Sequence, residues 1–371
     1  MSLATETQAA VAEAAKLAGA QAAQADAERR VSPEVMRAVV DAGFARWLVP
    51  TRWGGDERGY RELTAAVAKL GEECSSTAWL ACLAAHAARY VACLPEQGQA
   101  DIWAAGPDTL VAAVIKPLGT AVAVEGGFRL SGSWTYVSGV EYADWTLLTG
   151  PAPGPKSGGQ PMRIFAVPRQ DYTYEDTWAS LGMRGTGSHT LVLDDVFVPE
   201  HRVCLREDAF RGATVGLPGR TPLPNAAVSG LTFVVPVLGA ARGALAVAAQ
   251  LVAVAPTGPR AAAGQSYQVD FARAAGEIDA AQLLLERACA VVDGGALSPE
   301  LARRNRRDYA LALQMLVDAT DRLLRIGGTR AQEDGHPLQR YWRDVRSVAG
   351  HAVMQFEPAA LDYTQGLVGP A

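Results

Sequence analysis

The stretch TLVAAVIKPLGTAVAVEGGFRLSGSWTYVSG, Thr109–Gly139, decides the fold. Its apolar residues come in short runs, Leu110–Val114, Ala121–Val124, Phe128–Leu130 and Trp134–Val137, with Gly, Pro and Ser between them. Runs of that length and punctuation read as β-strands. Trp145–Thr149, Arg163–Val167 and Thr190–Val198 repeat the pattern downstream, the last closed by Pro199. Short strands at such spacing predict a small β barrel or sandwich. The Gly- and Pro-rich Pro151–Pro161 reads as an exposed hairpin tip.

On both sides of this region the texture is helical. Upstream, Thr5–Arg29 is rich in Ala, Gln and Glu, good helix formers. Ser32-Pro33 supplies an N-cap and a first-turn proline, and Val35, Val39, Val40 and Phe44 follow at helical spacing. Tyr60–Glu73 and Ser76–Leu94 read as two further helices, the second apolar nearly all round and so buried. Downstream, Leu231–Val254, Tyr267–Val292, Ser298–Ile326 and Pro337–Met354 read as four long helices with short connections, an antiparallel bundle. The expected division is an N-terminal helical domain (1–108), a central β domain (109–215) and a C-terminal four-helix bundle domain (216–371), consistent with 371 residues exceeding one ordinary core.

Composition narrows the function. With a net charge of −5 and no basic stripe, nucleic acid is a poor partner, because phosphate binding draws on clustered Lys and Arg. The five cysteines contain no CxxC pair and the five histidines no HExxH, so a metal site is not expected. No basic n-region precedes an apolar stretch at the N-terminus, and cytoplasm is the expected location. Thr221–Ala241 carries no charge but holds Pro222, Pro224, Asn225 and Pro236; it reads as a loop entering a buried core helix, not a membrane span.

Five local features carry chemistry. The first is Asp41-Ala42-Gly43-Phe44 with Val49-Pro50 and Trp53-Gly54-Gly55, which by itself is a helix stop and a turn. The second is LSGSWTYVSG, Leu130–Gly139, whose Ser138 is a turn serine or a hydroxyl facing a ligand. The third is LGMRGTGS, Leu181–Ser188, a Gly-rich loop whose free N–H groups suit a phosphate or another polar ligand edge, or simply a tight loop between strands. The fourth is His86, alone among Ala, Leu and Val, either a satisfied core histidine or an acid–base group. The fifth and most specific is PLQRYWRD, Pro337–Asp344, followed by His351, which lies two helical turns beyond Asp344 on one face.

Their order, with helices before and after the strands, resembles the acyl-CoA dehydrogenase superfamily. Within it the chain is most similar to flavin-dependent monooxygenases, the large components of two-component systems fed by a separate reductase. The resemblance covers almost the whole chain and implies an acyl-CoA dehydrogenase-like fold. It implies catalytic roles for His351, Ser138 and His86: Ser138 meeting the flavin near N5, His86 facing the substrate and taking a phenol proton, and His351 donating to oxygen. It implies flavin contacts from Trp134, Tyr136, Ser138, Gly139, Arg184, Gly185, Thr186 and Ser188, and from Arg340 and Arg343 toward flavin phosphate.

The departures from the dehydrogenase pattern carry as much weight. A dehydrogenase removes an α-proton with a carboxylate base, which in a large subset lies about two turns past the "RD" run; here that place falls at Ala352 beside His351. Its T-E-P-x-A-G-S-D loop is replaced by Lys116-Pro117-Leu118-Gly119-Thr120-Ala121. The resemblance therefore implies hydroxylation of an aromatic, phenolic or polyketide-type molecule with O2 and reduced flavin through a C4a-hydroperoxyflavin. FMN is favoured over FAD, no metal is needed, and the partners are an NAD(P)H-flavin reductase and three further copies in a homotetramer. The alternatives are an acyl-CoA dehydrogenase-like dehydrogenase or oxidase and a non-catalytic flavin-fold binding protein. The small residues Ala240, Ala241, Gly243 and Ala244 leave room for a multi-ring ligand or mark close helix packing.

Overall fold

The computed structural model describes residues 3–153, 160–217, 222–254, 261–295 and 297–369, so the 154–159 part of the expected hairpin tip lies outside the described residues. Helices α1 (Leu3–Ala20), α2 (Ala22–Glu28), α3 (Pro33–Asp41), α4 (Tyr60–Glu73), α5 (Ser75–Val91) and α6 (Glu96–Ile102) form the front end. The single helix expected over Thr5–Arg29 is interrupted at Gln21, and Arg29 ends α2 in the left-handed conformation. Where a cap was legible, the chain obeys it. Ser32 Oγ accepts from Val35 N at 3.2 Å to start α3, with Pro33 first in the helix.

Among the described residues, eight strands follow in two four-stranded sheets. One has the order β1 (Val111–Val114), β4 (Trp145–Pro151), β5 (Met162–Pro168), β8 (Val203–Leu205); the other has β2 (Thr120–Val124), β3 (Gly127–Val137), β7 (His189–Pro199), β6 (Thr173–Glu175). Strands β1 and β4 run parallel and the other pairs antiparallel. Leu130, Trp134 and Leu191 of one sheet and Leu148, Phe165 and Val167 of the other close a core of their own, as in a sandwich.

The back end is α7 (Arg206–Arg211), α8 (Asn225–Ala253), α9 (Ala261–Asp293), α10 (Pro299–Gly327), α11 (Pro337–Ala349) and α12 (Phe356–Val368). Its helices share one core with the front end: Leu70 of α4 and Ala85 of α5 are buried with Val234, Leu285, Leu316 and Val345. Helix α8 starts six residues earlier than expected and continues through Pro236. Among the described residues it alone is long and apolar enough to cross a membrane, yet 72% of that window is buried inside the molecule. Burial comes from backbone contact with α4: a Cβ on Gly71 would stand 2.7 Å from Pro236 O and 2.9 Å from Gly239 Cα. Gly243 is likewise pressed on the Glu72 carbonyl and the Tyr341 ring, and Ala240, Ala241 and Ala244 are buried. The small-residue stripe is close packing.

Candidate active site

A bulge at the end of β3 builds the first wall. Pairing with β7 shifts register between Trp134 and Val137. Tyr136 takes φ +67° there, a costly conformation for a bulky residue, and its ring is 66% exposed. The ring meets Trp178 edge-on at 6.1 Å, so two aromatic rings flank the end of the strand. Trp134, two residues earlier, faces the opposite way. It is fully buried in the sandwich, its indole N–H donating to Thr149 O at 2.9 Å. The bulge between Trp134 and Val137 breaks the alternation that would otherwise put the two rings on one face, and burial of Trp134 in the sandwich corrects the expectation that it touches a cofactor.

Ser138 ends this segment in a row of polar side chains. Trp79 Nε1 donates to Ser138 Oγ at 3.1 Å; Ser138 Oγ and Ser188 Oγ are 2.7 Å apart; Ser188 Oγ and Thr186 Oγ1 are 2.7 Å apart; Thr186 Oγ1 donates to Met183 O at 2.8 Å. Gly139 follows at φ +70°, its N–H donating to Thr186 O. Thus the second and third sequence features, 50 residues apart, are one structure.

The loop 181–188 is held from outside by α11. Met183 N donates to the Asp344 carboxylate at 2.5 Å. Asp344 is buried, and burial raises its pKa to about 6 against the pull of that bond. Gly182 permits the contact, since a Cβ there would collide with the Arg343 carbonyl and stand 2.6 Å from Asp344 N. Gly185 is similarly wedged against Ser76 and Ala25. Arg184 donates to Asp26 O and Ser180 O. Arg343 grips Asp26 with both terminal nitrogens (3.0 and 2.6 Å) and also reaches Leu181 O and Gln339. Within one chain Arg184 and Arg343 are therefore tethers between α2, the loop and α11, which corrects the expectation that both reach for a cofactor. Arg340 rests on the Tyr341 ring at 5.5 Å and has no ion pair among the described residues.

His351 does not continue α11. The helix ends at Ala349, Gly350 caps it, and His351 adopts extended backbone (φ −71°, ψ 127°) before a short turn, Ala352–Met354. The expected same-face relation to Asp344 fails for that reason. Instead the turn swings the imidazole onto Phe233, centroids 4.2 Å apart at 30°, with Trp79 at 6.5 Å. Nδ1 accepts from Val353 N at 3.3 Å, so in the neutral ring the proton sits on Nε2. Burial lowers the pKa of His351 and keeps it neutral.

Trp79 thus touches Ser138 through its N–H and neighbours His351 through its ring. Neither Trp79 nor Phe233 stood out in the sequence; the available signal was Trp79 lying seven residues, two turns, before His86. A small cleft opens beside Ser138 and Gly139, walled by Leu80, Leu83, Val111 and Tyr142.

His86 sits apart, in a closed apolar pocket with Tyr60, Val67, Cys82 and Leu231. Its Nδ1 is 3.0 Å from Thr232 Oγ1, and burial pushes its pKa down to about 3. So weak a base is a poor acceptor for a phenol proton, and the expected general-base role is revised to that of a neutral hydrogen-bonding group. Among the described residues no group of three metal-ligating side chains occurs.

The features around Ser138 fit a flavin. The exposed Tyr136 ring against a half-buried Trp178, a hydroxyl at the cleft, and a left-handed Gly139 leave a polar edge beside an apolar wall.

Comparison with known proteins agrees. Residues 4–101 match the acyl-CoA dehydrogenase N-terminal domain, and residues 231–356 match the C-terminal domain. The chain is 32% identical over 356 residues to the flavin-dependent monooxygenase oxygenase subunit HsaA of Rhodococcus jostii (strain RHA1), covering 92% of each chain. It is 35% identical over 387 residues to the oxygenase component of an FADH(2)-dependent resorcinol hydroxylase of Rhizobium sp. (strain MTP-10005), covering 97% of this chain and 93% of that one. The solved structure of XiaF from Streptomyces sp. with FADH2 and glycerol superposes with a TM-score of 0.90 at 29% identity, over 99% of this chain and 97% of that one.

Proposed function

The chain belongs to the flavin-dependent monooxygenase oxygenase subunits built on the acyl-CoA dehydrogenase fold, and from that premise we propose how its residues hydroxylate an aromatic substrate. It is an enzyme, the oxygenase component of a two-component system that takes reduced flavin from a separate reductase. When bound, reduced flavin supplies the electrons that activate O2. Tyr136, Trp178, Ser138 and Gly139 would hold the ring system, and Arg340, without an ion pair among the described residues, would meet a phosphate.

The observation that carries the reading is Trp79, which joins Ser138 to His351 across the helical and β parts. His351 keeps a proton on Nε2 and can pass it to a departing oxygen. Phe233 and Trp79 pack against that half-buried imidazole and shield part of it from water, which would limit loss of reducing equivalents as H2O2. Dehydrogenation lacks its base: by sequence spacing the family's carboxylate position falls at Ala352, and Glu357 lies in the first turn of α12.

The reading extends to a phenolic or polyketide-type substrate, a homotetramer packed through the back helices, a cytoplasmic location, and three parts divided near 108 and 215. The test supplies the protein with a flavin reductase, NAD(P)H and phenolic substrates under 18O2. One labelled oxygen per product supports it; unlabelled product or simple dehydrogenation refutes it.

A further inference from the structure

The polar row from Trp79 to Met183 has a direction that proton counting settles. Met183 O is a carbonyl and can only accept, so the single proton of Thr186 Oγ1 is committed to it. Thr186 must then accept from Ser188, whose one proton is committed in turn. Ser188 must accept from Ser138, which commits the Ser138 proton as well. Trp79 Nε1 is a donor only and fills one lone pair of Ser138. What Ser138 has left is one lone pair and no proton.

We infer that Ser188 and Thr186 are positioning residues that turn the Ser138 hydroxyl into a fixed hydrogen-bond acceptor at the cofactor. The inference rests on the proposed function, with Ser138 meeting the flavin near N5 as the family resemblance implies. Reduced flavin carries a proton on N5 and matches an acceptor; oxidised flavin has a bare N5 and meets lone pair against lone pair. To donate to oxidised flavin, Ser138 must break its bond to Ser188 and leave that buried hydroxyl without a donor. The row therefore sets which redox state the site prefers. Met183 O is well suited to anchor it, since Trp178 Nε1 (3.0 Å) and Thr186 N (3.1 Å) also donate there and hold it in place.

The test measures dissociation constants of oxidised and reduced flavin, the latter anaerobically, for the full-length protein and four variants. Ser188→Ala releases the Ser138 proton, so oxidised flavin binds about tenfold tighter while reduced flavin changes little. The midpoint potential of the bound flavin falls correspondingly by about 30 mV. Thr186→Val acts in the same direction by freeing the Ser188 proton. Ser188→Thr and Thr186→Ser keep the hydroxyls and retain the wild-type ratio. A ratio within twofold of wild type in both disruptive variants, or equal weakening of both redox forms, overturns the inference while the proposed function stands. A wild-type protein that binds neither form overturns both.

Discussion

Gly182→Ala tests whether α11 holds the cofactor loop. The residue has an ordinary φ, so the effect is steric and not conformational. The added methyl would collide with the Arg343 carbonyl and press on Asp344 N, which are helix backbone and cannot step aside. Overpacking of this kind costs about 1–3 kcal/mol. If the loop lifts instead, Met183 N leaves the Asp344 carboxylate, and an unpartnered buried acceptor costs a further ~1–3 kcal/mol. The two routes are alternatives in part, so a net loss of roughly 2–4 kcal/mol is expected, a large share of a typical folding free energy. Lifting the loop also withdraws Thr186 O, which accepts from Gly139 N and fixes the ring-holding segment, so reduced flavin should bind at least about tenfold more weakly. The assay is urea unfolding together with anaerobic flavin titration. Leu181→Ala is the control: its side chain is 57% exposed, and it should stay within about 0.5 kcal/mol of wild type. A Gly182→Ala protein with wild-type stability and flavin affinity would refute the reasoning.

Three other outcomes follow from the site. His351→Asn keeps an acceptor for Val353 N–H but removes the Nε2 donor; product per reduced flavin should fall and H2O2 rise, with the product-forming rate down about a hundredfold, and unchanged yield would remove His351 from the chemistry. Asp344 has its folded pKa raised from 3.8 to about 6, so its contribution to stability is full below pH ~4 and is lost as pH rises through about 6, an effect of up to ~3 kcal/mol. Asp344→Asn lacks that dependence, so its stability relative to wild type should improve between pH 4 and pH 8; parallel unfolding profiles would contradict the assignment. His86, with its pKa near 3, should contribute no ionisation to the pH–rate profile between pH 5 and 9, so His86→Gln that abolishes a limb near 6.5 would restore it as a base.

The legible parts of this molecule were those whose cause is local. Tyr60–Glu73 was read to the residue, and Ser298-Pro299 starts α10 as its cap predicts, with Ser298 Oγ accepting from Leu301 N at 3.2 Å. The short elements α6, α7, β6 and β8 escaped, because three to seven residues carry no period and their place is set by neighbours. The site was legible as a list of residues but not as an arrangement. Ser138 and Ser188 could be named from their runs, yet nothing local says that their hydroxyls meet. Arg343 looked like a ligand for phosphate because its partner, Asp26, lies 317 residues away in sequence. His351 was placed on a helix that Gly350 in fact ends, and only the turn after it explains how the imidazole reaches Phe233. Trp79 was hidden in a helix apolar nearly all round, where an aromatic residue reads as core.

The central claim is that reduced flavin and O2, not oxidised flavin and substrate, drive this site. The direct measurement is an anaerobic one on the purified protein with a phenolic substrate, first with oxidised flavin and then with reduced flavin followed by O2. The account predicts no bleaching of oxidised flavin by substrate alone, and hydroxylated product only after O2 meets the reduced complex. Bleaching of the oxidised flavin by substrate without any reductase would contradict it and assign the site to dehydrogenation.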